Sequence, residues 1–353
     1  MSVYGDRGGI RMKVLHVGDL HLDTKEVRST KKLVENNEVM LKGIYDTIVA
    51  DEEIELLIFM GDIQHKIPTG KNTLMETTKW KSWFKKIGEV MKERYQSDRV
   101  KVIEPKKEGK DSLSKKIEKG EIYPVFTLRG NHDIDNEIPY TFYDNVVDDG
   151  LMCNPERLVI DGETQYNFYN YGEADKTIKK KKGVKQVIGL YHDVVVTEES
   201  PFWVGKDPAY PAETILEGID LAIIGHIHSN SDPIYVETES GQSVAWTFGS
   251  MGRTSFSEGQ IRDVGYCALV DTEDITQLGL VEVEVIKGVE YFNMKAELKK
   301  RENKREYKDF SLKIEDGHVR THTDPRDDIR EMEGLEDKVR DVCLDILHEV
   351  MEG

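Results

Sequence analysis

Short apolar runs that stop at glycine or a turn residue recur along the first half of the chain, and segments of helical character separate them. Residues 12–17 (MKVLHV) form a β-rich run that stops at Gly18. Residues 29–50 read as a helix. Residues 55–60 (ELLIFM) form a continuous apolar run of buried-strand type that stops at Gly61. A second helix is predicted over 72–95, and a strand over 123–128 leads to Gly130. Strands alternating with helices predict a layered α/β fold. From about Glu156 the pattern changes to shorter strands separated by turn residues: 158–160, 166–171, 186–191, 221–224, 243–248, 265–270 and 278–286. Strand follows strand there, so a second sheet is expected to pack on the first.

Four segments break this rhythm. Residues 101–121 are rich in Lys, Glu and Ser and read as an exposed loop or hairpin. Residues 176–185 hold six lysines in ten positions, read as a solvated turn rather than a DNA contact. Residues 295–308 mix bases with acids, as a linker or exposed helix would. In the last segment the apolar positions are 335, 339, 342, 343, 346, 347 and 350, an amphipathic helical stripe. That stripe fits a helix packed on its own domain and a partner-binding helix equally well.

Composition narrows the class. With 353 residues, 38% of them hydrophobic and 33% charged, the chain can bury a sizeable core. No apolar run approaches the ~18 residues a membrane span needs. The first residues lack the apolar centre of a secretory signal. The expectation is a soluble, cytoplasmic protein without membrane association. Cys153, Cys267 and Cys343 are far apart and odd in number, so neither a disulfide framework nor a cysteine zinc site is expected. The formal net charge is −18, which by itself argues against nucleic-acid binding.

Candidate chemistry sits where the apolar runs end. Asp19-Leu20-His21 follows VLHVG, Gly61-Asp62 follows ELLIFM, and Gly130-Asn131-His132-Asp133 follows YPVFTLR. His192 follows QVIGLY, and Gly225-His226-Ile227-His228 follows LAII. Residues two apart in extended chain point the same way, so Asp19 with His21, or His226 with His228, could grip one cation. Open α/β sheets collect ligands at the carboxyl ends of their strands. A set of Asp, His and Asn donors with no thiolate suits Mn, Fe or Zn rather than a sulfur-rich site. Two such ions ~3.5–4 Å apart can hold a phosphoryl group and lower the pKa of a water between them.

These residues, in this order, resemble the calcineurin-like metallophosphoesterases over about residues 12–284. The resemblance implies an α/β fold: a two-sheet β-sandwich flanked by helices, with a dinuclear metal centre between strand ends. It implies one metal on Asp19, His21, Asp62 and His228, and a second on Asp62, Asn131, His192 and His226, with Asp62 bridging. His132 would bind no metal and would instead protonate the leaving oxygen or stabilise the charge that develops there. The cofactor would be two divalent ions, Mn first, with Mg, Fe or Zn as alternatives.

Within that superfamily the chain departs from the Ser/Thr protein phosphatases, which carry GDxxDRG and GNHE. Here the second motif reads GDIQHKIPTGKNTL and the third GNHD; the only Asp-Arg-Gly, at residues 6–8, precedes the first motif. Gly61-Asp62-x-x-His65, then Pro68-Thr69 and Thr73-Leu74, resembles the SbcD-type DNA repair exonucleases of Mre–Rad complexes. There an extra histidine three residues after the bridging Asp helps place the DNA end, a catalytic role that falls on His65. Gly249-Ser250, Arg253, Phe256, Glu258 and Gly265-Tyr266 match that branch too, more loosely. Gln64 departs from the aromatic or apolar residue usual there.

This resemblance implies exonuclease action on DNA ends in recombination and break repair, with endonuclease action left open. The partner would be an SbcC-type ATPase of the SMC class, and a homodimer would sit within a heterotetramer. The chain shows no P-loop of its own: beside Gly70-Lys71, His65 stands where Gly is required and Asn72 where Ser or Thr is required. Residues 12–288 would form the nuclease domain. Residues 289–353 would form a small α+β capping and partner-binding region, short as in phage or compact bacterial versions.

The charge then divides unevenly. Residues 315–353 hold thirteen acids and five bases, a net of −8, leaving −10 for the other 314 residues. Two divalent ions would add +4 where a phosphate must sit. The acidity therefore predicts weak DNA affinity for this chain alone and does not exclude a nuclease. The alternative reading is a metallophosphoesterase acting on nucleotides, small phosphodiesters or phosphoprotein.

Overall fold

The computed structural model describes residues 12–25, 32–66, 73–104, 112–134, 140–196, 209–252 and 263–293, with residues 299, 340, 341 and 344. The chain divides into two compact units, Met1–Asn293 and Met294–Gly353. Of the expected helix over 335–350 only residues 340, 341 and 344 are described, each of them helical; the other residues of that stretch, and a capping strand expected near 308–314, lie outside the described residues.

The first unit runs β1 (Lys13–Val17), α1 (Leu33–Ala50), β2 (Ile54–Phe59), α2 (Thr73–Arg94), β3 (Val100–Ile103), α3 (Leu113–Glu118), β4 (Val125–Thr127) and α4 (Phe142–Asp148). It continues with β5 (Arg157–Ile160), β6 (Thr164–Tyr169), β7 (Gln186–Tyr191), β8 (Val194–Val196), β9 (Ala209–Pro211), α5 (Ala212–Ile215) and β10 (Leu221–Ile224). It closes with β11 (Ile234–Thr238), β12 (Gly241–Trp246), β13 (Val264–Asp271), β14 (Leu278–Glu284) and α6 (Gly288–Tyr291).

Two large sheets result, as the strand pattern predicts, beside a two-stranded one of β8 and β9. One has five strands in the order β14-β13-β1-β2-β4, the other seven in the order β11-β12-β10-β7-β6-β5-β3. The central strands are parallel within each sheet: β1, β2 and β4 in the first, and β6, β7, β10 and β12 in the second. Parallel strands end on the same side, so their carboxyl-terminal turns gather along one edge.

Side-chain alternation divides the core into layers. Leu15, Val17, Leu57 and Phe59 face the helices, and Val14, Leu56 and Ile58 face the second sheet. Every residue of β2 is buried, which explains its unbroken apolar run. Helix α1 buries Met40, Leu41, Ile44 and Ile48, and α2 buries Trp80, Phe84, Ile87 and Met91. Both sets follow the 3.6-residue period, and each such side chain contributes roughly 1.5–3 kcal/mol. On the outer face of the second sheet Val187, Ala222 and Ala245 pack with Ala212 and Leu216.

The structure corrects the reading of residues 101–121 as an exposed loop or hairpin. Val100–Ile103 is an edge strand paired with β5, and Leu113–Glu118 is a helix capped by Ser112, whose side chain accepts the Lys115 amide. Residues 176–185 are turns and irregular chain with mostly exposed lysines, as expected.

His16 is the anomaly of the inter-sheet core. It is fully buried, lies 5.9 Å from the parallel ring of Tyr166, and makes no side-chain hydrogen bond. Burial pushes it down to about 3, only partly offset by the nearby backbone of Ala268 and Val14. The unfolded chain therefore binds a proton below about pH 6.5 that the native state refuses, and stability falls as pH falls through that window toward 3. Relative to His16→Leu, the wild-type protein should lose about 2 kcal/mol between pH 7 and pH 5. Denaturant unfolding of both at the two pH values checks this; equal losses would contradict it.

Candidate metal centre

The strand-end motifs converge at the edge where the parallel strands stop. Asp19 and His21 leave β1, Asp62 leaves β2, Asn131 and His132 follow β4, His192 leaves β7, and His226 and His228 leave β10. Backbone bonds lock the loops together. The Leu20 and His21 amides donate to the Asp62 carbonyl at 3.1 and 2.8 Å, and Gly252 donates to the Asp19 carbonyl at 2.8 Å. His21, Asp62 and His226 hold φ values of 49°, 45° and 67°, a conformation that L-residues adopt at some cost and that clusters at functional sites. Gly130 is required for closeness: a Cβ there would sit 2.1 Å from Asp62 Oδ1.

Asp19, His21, Asp62 and His228 each present one ligand atom, all within 4.8 Å of one another, and Asp62, His192 and His226 do the same. Asp62 belongs to both groups. His192 Nε2 is 3.3 Å from Asp62 Oδ2, and His21 Nε2 is 3.7 Å from it. His228 Nε2 is 3.7 Å from Asp19 Oδ2 and 2.8 Å from His21 Nε2. The Asn131 amide reaches Asp62 Oδ2 at 3.1 Å and His226 Nδ1 at 3.1 Å. All seven residues expected to bind metal are thus in one cluster. Asp19, His21, Asp62 and His192 are buried, and His228 is half-buried.

The electrostatics suit cations. Burial pushes the Asp19 carboxyl up to about 7, with Asp62 adding to it and His192 opposing. Burial would raise Asp62 as well, but His192, His21 and His132 hold it well below the usual carboxylate range. Burial would lower His192, yet Asp62 and Asp19 draw it up to about 10. The space between the two carboxylates therefore selects positive charge. His21 is pushed well below its ordinary value and His228 down to about 4, in both cases first by burial. Neutral imidazoles carry the lone pair that ligation needs. Asp19 Oδ1 is buried with no hydrogen bond. An orphaned carboxylate oxygen beside facing imidazoles fits divalent ions bound by oxygen and nitrogen donors.

His132 and His65 lie against this cluster. The His132 ring is 4.9 Å from that of His21 and 5.2 Å from that of His65, the latter near parallel at 27°. The His132 amide donates to Asp62 Oδ1 at 2.8 Å. Its Nδ1 lies 2.6 Å from the His65 carbonyl oxygen, so Nδ1 carries the proton and donates, and Nε2 is left for chemistry. Burial pushes His65 down to about 4.

A family model for the calcineurin-like phosphoesterases matches residues 12–230. The chain belongs to that family. Among solved structures, a 5'-nucleotidase precursor from Thermus thermophilus is similar at 11% identity and a TM-score of 0.35. That similarity covers 81% of this chain and 57% of the nucleotidase, so the chain spans little more than half of its length. No curated protein matches. Calcineurin-like phosphoesterases hydrolyse phosphoester bonds with two metal ions, and the His/Asp cluster lies where this phosphoesterase gathers its strand ends. Among the described residues no helix is long and apolar enough to cross a membrane.

Three residues at the site escape the sequence reading of roles. Asp133 is fully buried and accepts the Gly130 amide at 3.0 Å; burial and Asp62 push it up to about 8. Asp193 accepts the Gly172 amide and so fixes the turn that brings Tyr171 to 6.0 Å from the His226 ring. Gln64 is fully buried under His132. In the sequence Asp133 shows as the last residue of the GNHD motif, Gln64 as a departure from an apolar position, and Asp193 only as the neighbour of His192. Of the motif that begins at Gly61, Thr73 and Leu74 are described and Pro68 and Thr69 lie outside the described residues; of the looser matches, Gly249, Ser250, Gly265 and Tyr266 are described and Arg253, Phe256 and Glu258 lie outside.

Proposed function

We propose that this phosphoesterase hydrolyses the phosphodiester bonds of DNA ends, as an SbcD-type nuclease subunit working with an SbcC-type SMC-class ATPase. The observation that carries the reading is His65. It stacks on His132 at the metal cluster, three residues after Asp62, where a second imidazole can touch a nucleic-acid phosphate beside the one being cleaved.

Asp19, His21, Asp62 and His228 would hold one divalent ion, and Asp62, Asn131, His192 and His226 the other, with Mn the first candidate and Mg, Fe or Zn the alternatives. The chemistry supplied there would be Lewis-acid polarisation of the phosphoryl group and activation of water. The protein's own residues do the rest. His132, oriented by the His65 carbonyl, gives a proton from Nε2 to the leaving oxygen. His65 steers the DNA strand into that geometry. The formal charge of −18 gives the chain little intrinsic grip on duplex DNA, so the ATPase would supply most of it. A homodimer within a heterotetramer, and a capping and docking role for residues 289–353, complete the proposal.

The test is degradation of linear duplex DNA with Mn, with and without an SbcC-type ATPase. Mn-dependent loss of duplex, faster with the partner, is the expected result. Hydrolysis of nucleotides or small phosphodiesters, with none of DNA even beside the partner, would select the other substrates.

A further inference from the structure

We propose that Gln64 is a positioning residue that holds His132 in place to protonate the leaving oxygen. The inference rests on the reading of His132 as proton donor. Gln64 is 0% exposed, and its amide spans two segments distant in sequence. Nε2 donates to the His132 carbonyl at 3.1 Å, and Oε1 accepts the Phe142 amide at 3.0 Å. The orientation is unambiguous: a carbonyl needs the NH2 end and an N–H needs the oxygen, so the reversed amide would lose both bonds. The Gln64 backbone amide also points at Asp133 Oδ1, at 3.3 Å.

Each end of this brace is anchored. Phe142 opens α4, and its N–H is one of the first-turn donors that have no partner within a helix. Thr141 and Asp144 form a reciprocal capping box around it, and the Phe142 ring packs edge-on against Trp80 of α2 at 5.3 Å. At the other end is the short 3-10 turn Asn131–Asp133 that carries His132. The next residue in the chain, His65, accepts the His132 Nδ1 proton through its carbonyl. Two consecutive residues thus grip His132, Gln64 by its backbone carbonyl and His65 by its ring. An apolar side chain could fill the same volume but would take this partner from the half-buried His132 carbonyl and the buried Phe142 N–H, and the turn would be free to shift. An ångström of drift at Nε2 is enough to impair proton transfer.

In the step concerned, the oxygen of water bonds to phosphorus as the bond from phosphorus to the leaving oxygen breaks. The electron pair stays on the leaving oxygen, which takes the His132 Nε2 proton. The proton released by the water passes to solvent, and solvent reprotonates His132. A sugar alkoxide is a strong base and needs that proton; 4-nitrophenolate is a weak base and leaves without it. Misplaced His132 should therefore harm the first reaction selectively.

The experiment compares Gln64→Met, which keeps the volume, with Gln64→Asn, which keeps the polarity but is too short to reach both partners. Each is assayed with Mn on a dinucleotide and on bis(4-nitrophenyl) phosphate, beside His132→Ala. For both Gln64 variants we expect kcat on the dinucleotide to fall ten- to a hundredfold, KM to stay within about threefold, and the nitrophenyl rate to fall far less. The ratio of the two rates does not depend on the fraction of enzyme folded, so partial unfolding cannot imitate this. Equal losses on both substrates, or none on either, would overturn the role of Gln64 while a selective loss in His132→Ala left the reading of His132 standing. No selective loss in His132→Ala would remove both.

Discussion

Replacing His132 with Ala should lower kcat on a phosphodiester with an alkyl leaving group by about 10²–10⁴ while the protein still takes up two equivalents of Mn. The expectation follows from how His132 is attached. Its link to the metal cluster is its backbone amide, which donates to Asp62 Oδ1 and survives the substitution. Its ring is held by the His65 carbonyl and belongs to neither of the two groups that share Asp62, although with His21 and His65 it forms a third set of possible ligands. The variant therefore deletes a proton donor and leaves seven candidate ligands in place. Full activity of His132→Ala on a dinucleotide would reject the assigned role. Loss of Mn along with activity would instead make the ring part of the metal site.

The second large effect is expected at Asp62. It is fully buried, belongs to both ligand groups, and faces His21, His192 and the His132 amide from one carboxylate. Asp62→Asn keeps the shape and removes one of the two negative charges in the cluster. Mn uptake should fall from two equivalents to one or none, and phosphodiester hydrolysis should fall by at least about a thousandfold, the several kcal/mol of charge stabilisation a metal supplies. Elemental analysis and the dinucleotide assay on the same preparation check both. Two tightly held ions in Asp62→Asn would show that the carboxylate does not bridge.

Much of this site was legible in the sequence because its residues sit at strand ends. β7 and β10 have the bounds their apolar runs predict, residues 186–191 and 221–224; His192 follows the first directly, His226 follows the second after Gly225, and both lie in the cluster. The run 55–60 matches β2 to within one residue, and its glycine stop delivers Asp62. Short or half-polar elements were hidden. α4 has seven residues and owes its start to Thr141 and Asp144 rather than to a long apolar stripe. β3 buries Val100 and Val102 in a segment otherwise rich in Lys and Glu, and that composition outweighs two alternating valines. β11 is an edge strand with one fully buried position, Val236. Gln64 was legible only as a departure from pattern. Its two bonds join residues 68 and 78 positions away, and contacts at that range leave no local trace.

The central claim is that these strand ends form a site for two divalent ions bridged by Asp62, and Mn binding measured by calorimetry on the wild-type chain tests it most directly. The result expected is two equivalents per chain, falling to one or none in Asp62→Asn. A wild-type protein that binds one equivalent or none would contradict it.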